Sequence, residues 1–329
     1  MQTHSKPRFS SARMIKAVAG CLLALSSAVM AAEEPPIRLI VPFPPGGSTD
    51  IAARIIQPRL ASTLSRTVIV ENRPGANTQI ASQYVARATP DGNTLLLSFD
   101  SHSINPIIKP DLPYDTFKDF KGIAFALRFP LVIGASKSTP GDTLKEFLEA
   151  AKARPDAFSY ASAGVGSLSQ LAAEDLKRQA GVEILHVPYS GGGPMVQALL
   201  SETSNITFLS YAALKSNIEA GNIKPLGITG TDRLRDLPNV PTVGESGYPG
   251  FEAYSWQAVW VPAATPEAVA EKLTSAFLEA LNDPEVRNRL NDIGFEVIAT
   301  DGASAERYAR EQFERWSRFV KETGLSLAE

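Results

Sequence analysis

The stretch IRLIVPFPPGGSTD, residues 37–50, decides the fold. Its first part, from Ile37 to Val41, is apolar except at Arg38, as is typical of a strand in a sheet that is covered on both faces. Pro and Gly residues then end the strand, and Ser48 opens a helical pattern that continues to about Ser62. This order of strand, turn and helix predicts the first unit of an α/β domain.

The same alternation continues along the chain and restarts in its middle. Further strands are predicted at residues 67–70, 94–98, 131–134, 158–161, 184–187, 206–209, 226–228 and 256–261, and helices at 79–87, 143–152, 167–179, 194–200 and 212–220. This pattern predicts parallel sheet with helices on both faces. Two such units without a low-complexity linker predict short hinge strands and a cleft between the units, a usual place for a ligand.

The last part of the chain returns to regular structure after an irregular segment. Residues 232–250 are rich in Pro, Gly and Asp, and Thr265 and Pro266 then open a helix. The final helix carries a stripe at helical spacing: Ala305, Tyr308, Ala309, Gln312, Trp316, Phe319 and Val320. A membrane-binding face is the alternative, but the surrounding charge is mixed, so we expect this stripe to pack on the core.

Composition excludes several classes of function. The length of 329 residues suits about two folded domains. The net charge of -3 offers no basic surface for nucleic acid. One Cys and three His are too few for a multi-ligand zinc or iron–sulfur site. We therefore predict that the protein binds no metal, no cofactor and no nucleic acid.

Residues 1–32 have the pattern of a cleaved secretory signal peptide. Basic residues precede an apolar run, Ala17 to Val29, which leads to Ala31-Ala32. The run is shorter than the roughly 20 residues that span a membrane, and Cys21 stands too early in it for lipidation. Cleavage removes four basic residues and the only Cys, leaving 28 basic against 35 acidic residues, a net charge of -7. An exported protein without a thiol forms no disulfide and has no cysteine nucleophile.

Three glycine turns stand where a strand is expected to pass into a helix, at residues 44–50, 162–167 and 190–194. Unpaired N–H groups and the helix dipole favour an anion at such places, although each turn alone could simply allow a tight connection. None has the ending of a phosphate loop or a full dinucleotide fingerprint, so a carboxylate is favoured over a nucleotide. Asp50 is expected to brace its own turn.

Catalytic alternatives have little support in the sequence. Residues 244–247 are one residue short of a Gly-x-Ser-x-Gly elbow. His186 alternates with apolar neighbours in a predicted strand, which indicates a structural histidine. His102 lies in a predicted loop without an obvious nucleophile. We therefore predict no enzyme and no catalytic residue, and whether His102 or Asp100 touches the ligand stays open.

Short motifs follow one another along the whole mature chain. They are PFPPGGSTD at 42–50, ENRPGA at 71–76, PDG at 90–92, LPYD at 112–115, YASAGVGS at 160–167, VPY at 187–189, LPNVPT at 237–242 and PAATP at 262–266. Together they resemble the Bug/TctC family of periplasmic solute-binding proteins. The resemblance implies a type II periplasmic-binding-protein fold, with two α/β lobes joined by hinge strands around a ligand cleft. Lobe 1 would comprise residues 33–130 and 254–329, and lobe 2 residues 131–253.

The resemblance also implies a site. Family members hold a carboxylate between the first turn and the matching turn of lobe 2, through amides, hydroxyls and water. The matching residues are Gly46, Gly47, Ser48 and Thr49 on one side and Ala163, Gly164, Gly166 and Ser167 on the other, with Phe43, Ser101 and Tyr189 as walls. Where the family commonly continues Gly-Ala-Gly-Gly, this chain has Asn77 and Thr78, which we expect at the distal end of the ligand.

The function that the resemblance implies is capture of an organic di- or tricarboxylate in the periplasm. A second departure lies at residues 202–205, which read Glu-Thr-Ser-Asn where the family commonly has a Gly-Gln-Val-Asp-like stretch. Because of these two departures, we expect a longer or aromatic dicarboxylate, such as terephthalate. The protein would act as a monomer and deliver its ligand to the membrane permease subunits of a tripartite tricarboxylate-type transporter. Two alternatives stay open: a ligand-sensing module for a signalling receptor, and a periplasmic hydrolase dependent on His102 or Asp100.

Overall fold

The computed structural model describes Met1 and residues 34–327, which contain ten strands and ten helices. Apart from Met1, the predicted signal peptide lies outside the described residues. The strands are β1 (Ile37–Val41), β2 (Val68–Asn72), β3 (Thr94–Leu97), β4 (Phe120–Ser136), β5 (Ser159–Ser162), β6 (Leu185–Pro188), β7 (Ile206–Ser210), β8 (Ile223–Ile228), β9 (Tyr254–Pro262) and β10 (Glu296–Asp301). The helices are α1 (Ser48–Leu64), α2 (Gln79–Ala86), α3 (Ser101–Ile108), α4 (Leu144–Ala153), α5 (Leu168–Ala180), α6 (Gly192–Leu200), α7 (Tyr211–Glu219), α8 (Glu267–Asn282), α9 (Pro284–Asn291) and α10 (Gly302–Thr323). In this part of the chain, no helix combines the length and the apolar character needed to cross a membrane.

Strand β4 organises the sheet because it has different partners along its two halves. Its first half pairs with β9 and β10, and its second half with β7 and β8. The change falls between Pro130, which lies opposite Tyr254 of β9, and Leu131, which lies opposite Ser210 of β7. The whole order is β2-β1-β3-β9-β4-β7-β5-β6. A strand so placed is covered on both faces, and only Lys121 and Arg128 in β4 are partly exposed.

The sheet is mixed, so the predicted parallel pairing is confirmed within β1–β3 and within β5–β7 but does not extend to β4 and β9. Strand β1 runs parallel to β2 and β3, and β5 runs parallel to β6 and β7, but β9 is antiparallel to β3 and β4, and β4 is antiparallel to β7. Periodicity indicates how deeply a strand is buried and not its direction. The carboxyl ends of β1–β3 and β5–β7 consequently point toward each other along β4. In α/β sheets, loops at such ends are where ligands bind.

One helix of functional interest contradicts the sequence-based prediction. Residues 101–108 form α3, although the segment around His102 is predicted to be a loop. Pro106 lies inside this helix and removes one backbone donor, which normally argues against a helical assignment. Burial of the apolar Ile104 and the hydrogen bonds that the buried Asn105 makes to Asn77 offset that cost.

The C-terminal helix α10 packs on the core through the predicted stripe. Ala305, Ala309, Trp316 and Phe319 are buried. The ring of Tyr308 stacks on Phe125 of β4 with centroids 4.7 Å apart. The prediction that this stripe packs on the core is therefore confirmed. Because α10 and β4 come from distant parts of the sequence, this contact joins the end of the chain to the central strand.

Candidate functional site

The first glycine turn, between β1 and α1, is braced by Asp50. Oδ2 of Asp50 accepts hydrogen bonds from the backbone N–H of Gly46 and from Nε of Arg54, both at 2.9 Å. Oδ1 accepts from Nδ2 of Asn72, also at 2.9 Å. Burial acts to raise the pKa of Asp50, but these hydrogen bonds outweigh it and hold the pKa below its usual value. The predicted bracing role of Asp50 is confirmed, and its negative charge is satisfied within the protein.

The N-terminus of α1 keeps donors available beside this turn. The helix begins at Ser48, and within residues 34–327 no side chain caps it. The first N–H groups of an α-helix have no partner inside the helix and therefore suit an external anion. Gly46 has a φ of 86°, which allows the sharp turn, and Gly47 is extended. Thr49 is buried and accepts a hydrogen bond from Nε2 of Gln257 at 3.2 Å, whereas Ser48 stays partly accessible.

Helix α3 extends from the first turn to the second. Near its start, the ring of Phe99 packs edge-on against Phe43, with centroids 5.0 Å apart. Its last residue, Ile108, lies so close to Gly166 that a Cβ on this glycine would overlap the Ile108 side chain. The eight residues of α3 span about 12 Å. The structure thus places Phe43 and Ser101 near the start of α3 and Gly166 at its other end.

The second turn differs from the first, because its backbone donors already have partners. Three N–H groups donate to nearby side chains: Ala163 to Oγ of Ser169 at 3.0 Å, Gly164 to Oγ of Ser162 at 3.2 Å, and Gly166 to Oε1 of Gln170 at 2.6 Å. Ser167 caps α5, and its hydroxyl donates to the carbonyl of Gly164 at 2.6 Å. A ligand at these amides would have to replace a side-chain acceptor. Binding by Ala163, Gly164, Gly166 and Ser167 stays a prediction.

His186 and Tyr189 support this second turn. The ring of His186 stacks on Tyr160 at 4.9 Å, and its Nε2 lies 2.6 Å from Oγ of Ser162. Burial lowers the pKa of His186, as expected for a structural histidine. The backbone N–H of Tyr189 donates to the carbonyl of Ser162 at 2.9 Å, and its hydroxyl lies 3.3 Å from Oγ of Ser204. Tyr189 is half-buried, which suits its predicted place in a wall.

Asn77 and Thr78 lie in a strained loop after β2. Ala76, Asn77 and Thr78 have φ angles of 46°, 45° and 72°, a left-handed conformation that costs about 1–2 kcal/mol per non-glycine residue. Asn105 of α3 holds this loop: its Nδ2 donates to the carbonyl of Asn77 at 2.8 Å, and its Oδ1 accepts from Nδ2 of Asn77 at 2.9 Å. Oγ1 of Thr78 lies 2.7 Å from Oγ of Ser101. Backbone strain retained in this way clusters at functional sites.

Asp100 and His102 are buried at the start of α3. The ring of His102 lies 5.0 Å from that of Phe120 and 4.7 Å from that of Trp260, and neither of its nitrogens has a hydrogen-bond partner among the described residues. Burial lowers the pKa of His102 to about 3. Burial also raises the pKa of Asp100 to about 7, although Ser255 donates a hydrogen bond to it. A general base must reach its substrate, and His102 is only 1% exposed.

The described part of the chain contains no cluster of metal-ligating side chains. Within residues 34–327, no three His, Cys, Asp or Glu side chains are grouped so that they could hold a metal ion. The donors around the two turns are amides, hydroxyls and carboxamides. Such groups recognise an oxyanion by hydrogen bonding.

Comparison with known proteins identifies a family and several similar structures. A family model described as tripartite tricarboxylate transporter family receptor, TctC, matches residues 52–325. The chain is similar to the periplasmic binding protein BugD, with 33% identity over 88% of this chain and 98% of that chain and a TM-score of 0.81. It is similar to Rpa4515 of R. palustris, solved with adipate, with 31% identity, coverage of 88% and 98%, and a TM-score of 0.83. It is also similar to MatC from Rhodopseudomonas palustris, solved with malate, with 32% identity, coverage of 87% and 98%, and a TM-score of 0.79.

Proposed function

This chain belongs to the tripartite tricarboxylate transporter family receptors (TctC), and on that premise we propose that it delivers an organic di- or tricarboxylate to the membrane subunits of a tripartite tricarboxylate-type transporter. Members of this family are periplasmic solute-binding proteins, not enzymes, and the chain has their two-lobed α/β fold. Export by cleavage of residues 1–32, a monomeric state and a ligand that is long or aromatic, such as terephthalate, are parts of the proposal.

The proposed lobes meet where β4 changes its partners. Lobe 1 comprises residues 33–130 and 254–329, and lobe 2 comprises residues 131–253. The change of pairing between Pro130 and Leu131, together with the start of β9 at Tyr254, supports these boundaries. Strands that cross between two bodies are natural hinges, so ligand-driven closure would bend the chain here.

The state of the first turn carries the proposal. Asp50 directs its carboxylate to Gly46, Arg54 and Asn72, and no described side chain caps the helix that begins at Ser48. The turn therefore supports a carboxylate of the ligand without presenting a repelling charge to it. The net charge of -7 expected for the mature chain does not oppose this, because exposed charges are screened beyond roughly 8–10 Å.

The remaining predicted residues complete the proposed cleft. The half-buried rings of Phe43 and Tyr189 form walls for the body of the ligand, and Ser167 stands at the second turn. Adipate and malate, found with two similar proteins, are both dicarboxylates, which supports a ligand with acceptor groups at two ends. Lobe closure would desolvate the carboxylate, and the closed form would be the state that the membrane subunits recognise.

Calorimetric titration of the purified protein tests this function. Adipate, malate, citrate, terephthalate and benzoate serve as ligands, and we expect saturable binding of at least one di- or tricarboxylate. Ser167→Trp should abolish that binding because it fills the second turn, whereas Ser201→Trp, at an exposed serine, is the matched control. Absence of binding by all five acids would overturn the proposal. Capture of a signalling receptor from membranes, without the transporter subunits, would favour the sensory alternative.

A further inference from the structure

The hydroxyls of Thr78 and Ser101 leave one donor proton without an acceptor. Their oxygens lie 2.7 Å apart, so one of the two hydroxyl protons occupies the hydrogen bond between them. Within the described part of the chain, neither hydroxyl has a second acceptor for the other proton. Thr78 and Ser101 are each only 4% exposed. A buried donor without an acceptor is costly, and this points to an acceptor that binds there.

Asn105 fixes the arrangement of this pair. A backbone carbonyl only accepts hydrogen bonds, so the contact with the carbonyl of Asn77 identifies the donating nitrogen of the Asn105 amide. The same nitrogen lies 3.4 Å from Oγ1 of Thr78. Because an amide nitrogen only donates, this contact offers Thr78 no acceptor, and the leftover hydroxyl proton has none among the described residues. Asn105 is fully buried, and no motif in the sequence singles it out.

The pair lies on the wall that α3 forms between the two turns. Ser101 is two residues from Phe99, whose ring contacts Phe43 beside the first turn, and Ile108 at the other end of α3 contacts Gly166 of the second. The strained loop that carries Thr78 follows β2. Strand β2 pairs with β1, and β1 leads into the first turn. A ligand held at the first turn would therefore extend along α3.

We infer that the Thr78–Ser101 pair, positioned by Asn105, donates a hydrogen bond to a second carboxylate or carbonyl oxygen of the ligand. This inference rests on the proposed function, since it assumes that the first carboxylate binds at the first turn. It makes the pair a selector of dicarboxylates over monocarboxylates of the same length. Asn105 is a positioning residue, because it acts through Thr78 and the loop and not by touching the ligand.

Affinities for matched acids test the inference. Adipate is compared with hexanoate and terephthalate with 4-methylbenzoate, and the ratio of the two affinities in a pair measures the preference for a second carboxylate. The wild-type protein should prefer the diacid of at least one pair by tenfold or more. Ser101→Ala and Thr78→Ala should each reduce this preference about tenfold, as expected when one hydrogen bond to a charged group is lost. Thr78→Ser keeps the hydroxyl and should restore the preference.

Asn105→Ala examines the positioning role. It should reduce the diacid preference in the wild-type background and have no further effect on the preference in Ser101→Ala, because both act through the same donor. Ser103→Ala is the matched control on the same helix. It removes a buried hydroxyl that donates to the carbonyl of Asp100 at 3.0 Å, so it should lower the melting temperature and leave the preference unchanged. Thermal unfolding confirms that each variant is folded.

The outcomes separate this inference from the proposed function. If the wild-type protein binds none of the four acids, nor malate or citrate, the proposed function fails and the inference fails with it. If it binds acids without preferring any diacid, or if Ser101→Ala weakens diacid and monoacid equally, only the inference is overturned. An equal loss would indicate that the pair does not contact a second carboxylate. Should Asn105→Ala fail to fold, the serine and threonine variants still decide the result.

Discussion

Burial shifts the pKa values of Asp100 and His102 in opposite directions. The two effects on the pH dependence of stability cancel in the wild-type protein, and only single substitutions should reveal them. Burial raises the pKa of Asp100 from 3.8 to about 7 and lowers that of His102 from 6.5 to about 3. Between about pH 4 and pH 6.5, the folded protein therefore carries a proton on Asp100, whereas the unfolded chain carries it on His102. Both states bind one proton at this pair, so the pair adds no slope to the free energy of unfolding.

Each single substitution should reveal how the remaining titrating group makes the free energy of unfolding depend on pH. In Asp100→Asn, the unfolded state binds a proton on His102 that the folded state lacks, so the free energy of unfolding decreases as the pH falls below about 6.5. In His102→Leu, the folded state keeps a proton on Asp100 that the unfolded state has lost, so stability decreases as the pH rises from about 4 to 7. Each slope approaches about 1.4 kcal/mol per pH unit, or about 3 kcal/mol over the shared range.

Leucine suits the site of His102, because neither ring nitrogen has a partner among the described residues and two aromatic rings surround it. The substitution therefore leaves no hydrogen-bonding group newly unpaired. Asparagine at position 100 keeps an oxygen that can accept the hydrogen bond from Ser255. These choices confine the perturbation to the titrating groups.

Urea unfolding followed by circular dichroism, repeated between about pH 4 and pH 7, measures these slopes. The quantity to compare is the difference in free energy of unfolding between variant and wild type, so that groups such as Asp50 cancel. The double variant should run parallel to the wild type. If both single variants also run parallel to it, the two groups do not titrate as their burial implies, and the reasoning is refuted.

Three further predictions concern the second turn and the core. Gly166→Ala should weaken carboxylate binding at least tenfold, because the added Cβ would overlap Ile108 and Gly166 has a φ of 72°. Calorimetry should show partial recovery of binding in the double variant with Ile108→Ala. Absence of any recovery would exclude the steric cause. Ser169→Ala should lower the free energy of unfolding by about 1 kcal/mol, because the N–H of Ala163 loses its internal acceptor. For the same reason, calorimetry should show carboxylate binding that is severalfold stronger. Weaker binding would contradict this prediction. Trp316→Ala should cost about 3–5 kcal/mol in urea unfolding because the side chain is 2% exposed, and a loss below about 1 kcal/mol would mean that α10 does not depend on it.

Local rules predict much of the site, because its parts are local. The order of strand, glycine turn and helix predicts the first turn, and a carboxylate at the fourth position after Gly46 reaches back to its N–H. The same reasoning predicts the second turn, whereas the capping of α5 by Ser167 is seen only in the structure. The hydrophobic pattern does not predict strand direction, because β4 and β9 are apolar whichever way they run.

The distal part of the site depends on long-range contacts, and the sequence does not reveal them. Nothing local favours left-handed backbone at Ala76 and Thr78. The loop is held by Asn105, which is 28 residues away from Asn77 in sequence, from a helix that Pro106 makes hard to predict. A departure from the family pattern at Asn77 and Thr78 marks the position of this loop, but its partner becomes visible only in the structure.

The difference between the two turns bears on how affinity arises. At the first turn a bound carboxylate would meet helix amides that no described side chain caps, so its hydrogen bonds would replace only bonds to water. At the second turn the ligand would exchange one acceptor for another, as at Ala163, where the oxygen of Ser169 must leave. An exchange of this kind contributes little energy but depends strongly on geometry. The first turn would thus supply most of the affinity, while the second turn and the Thr78–Ser101 pair decide which carboxylates permit closure.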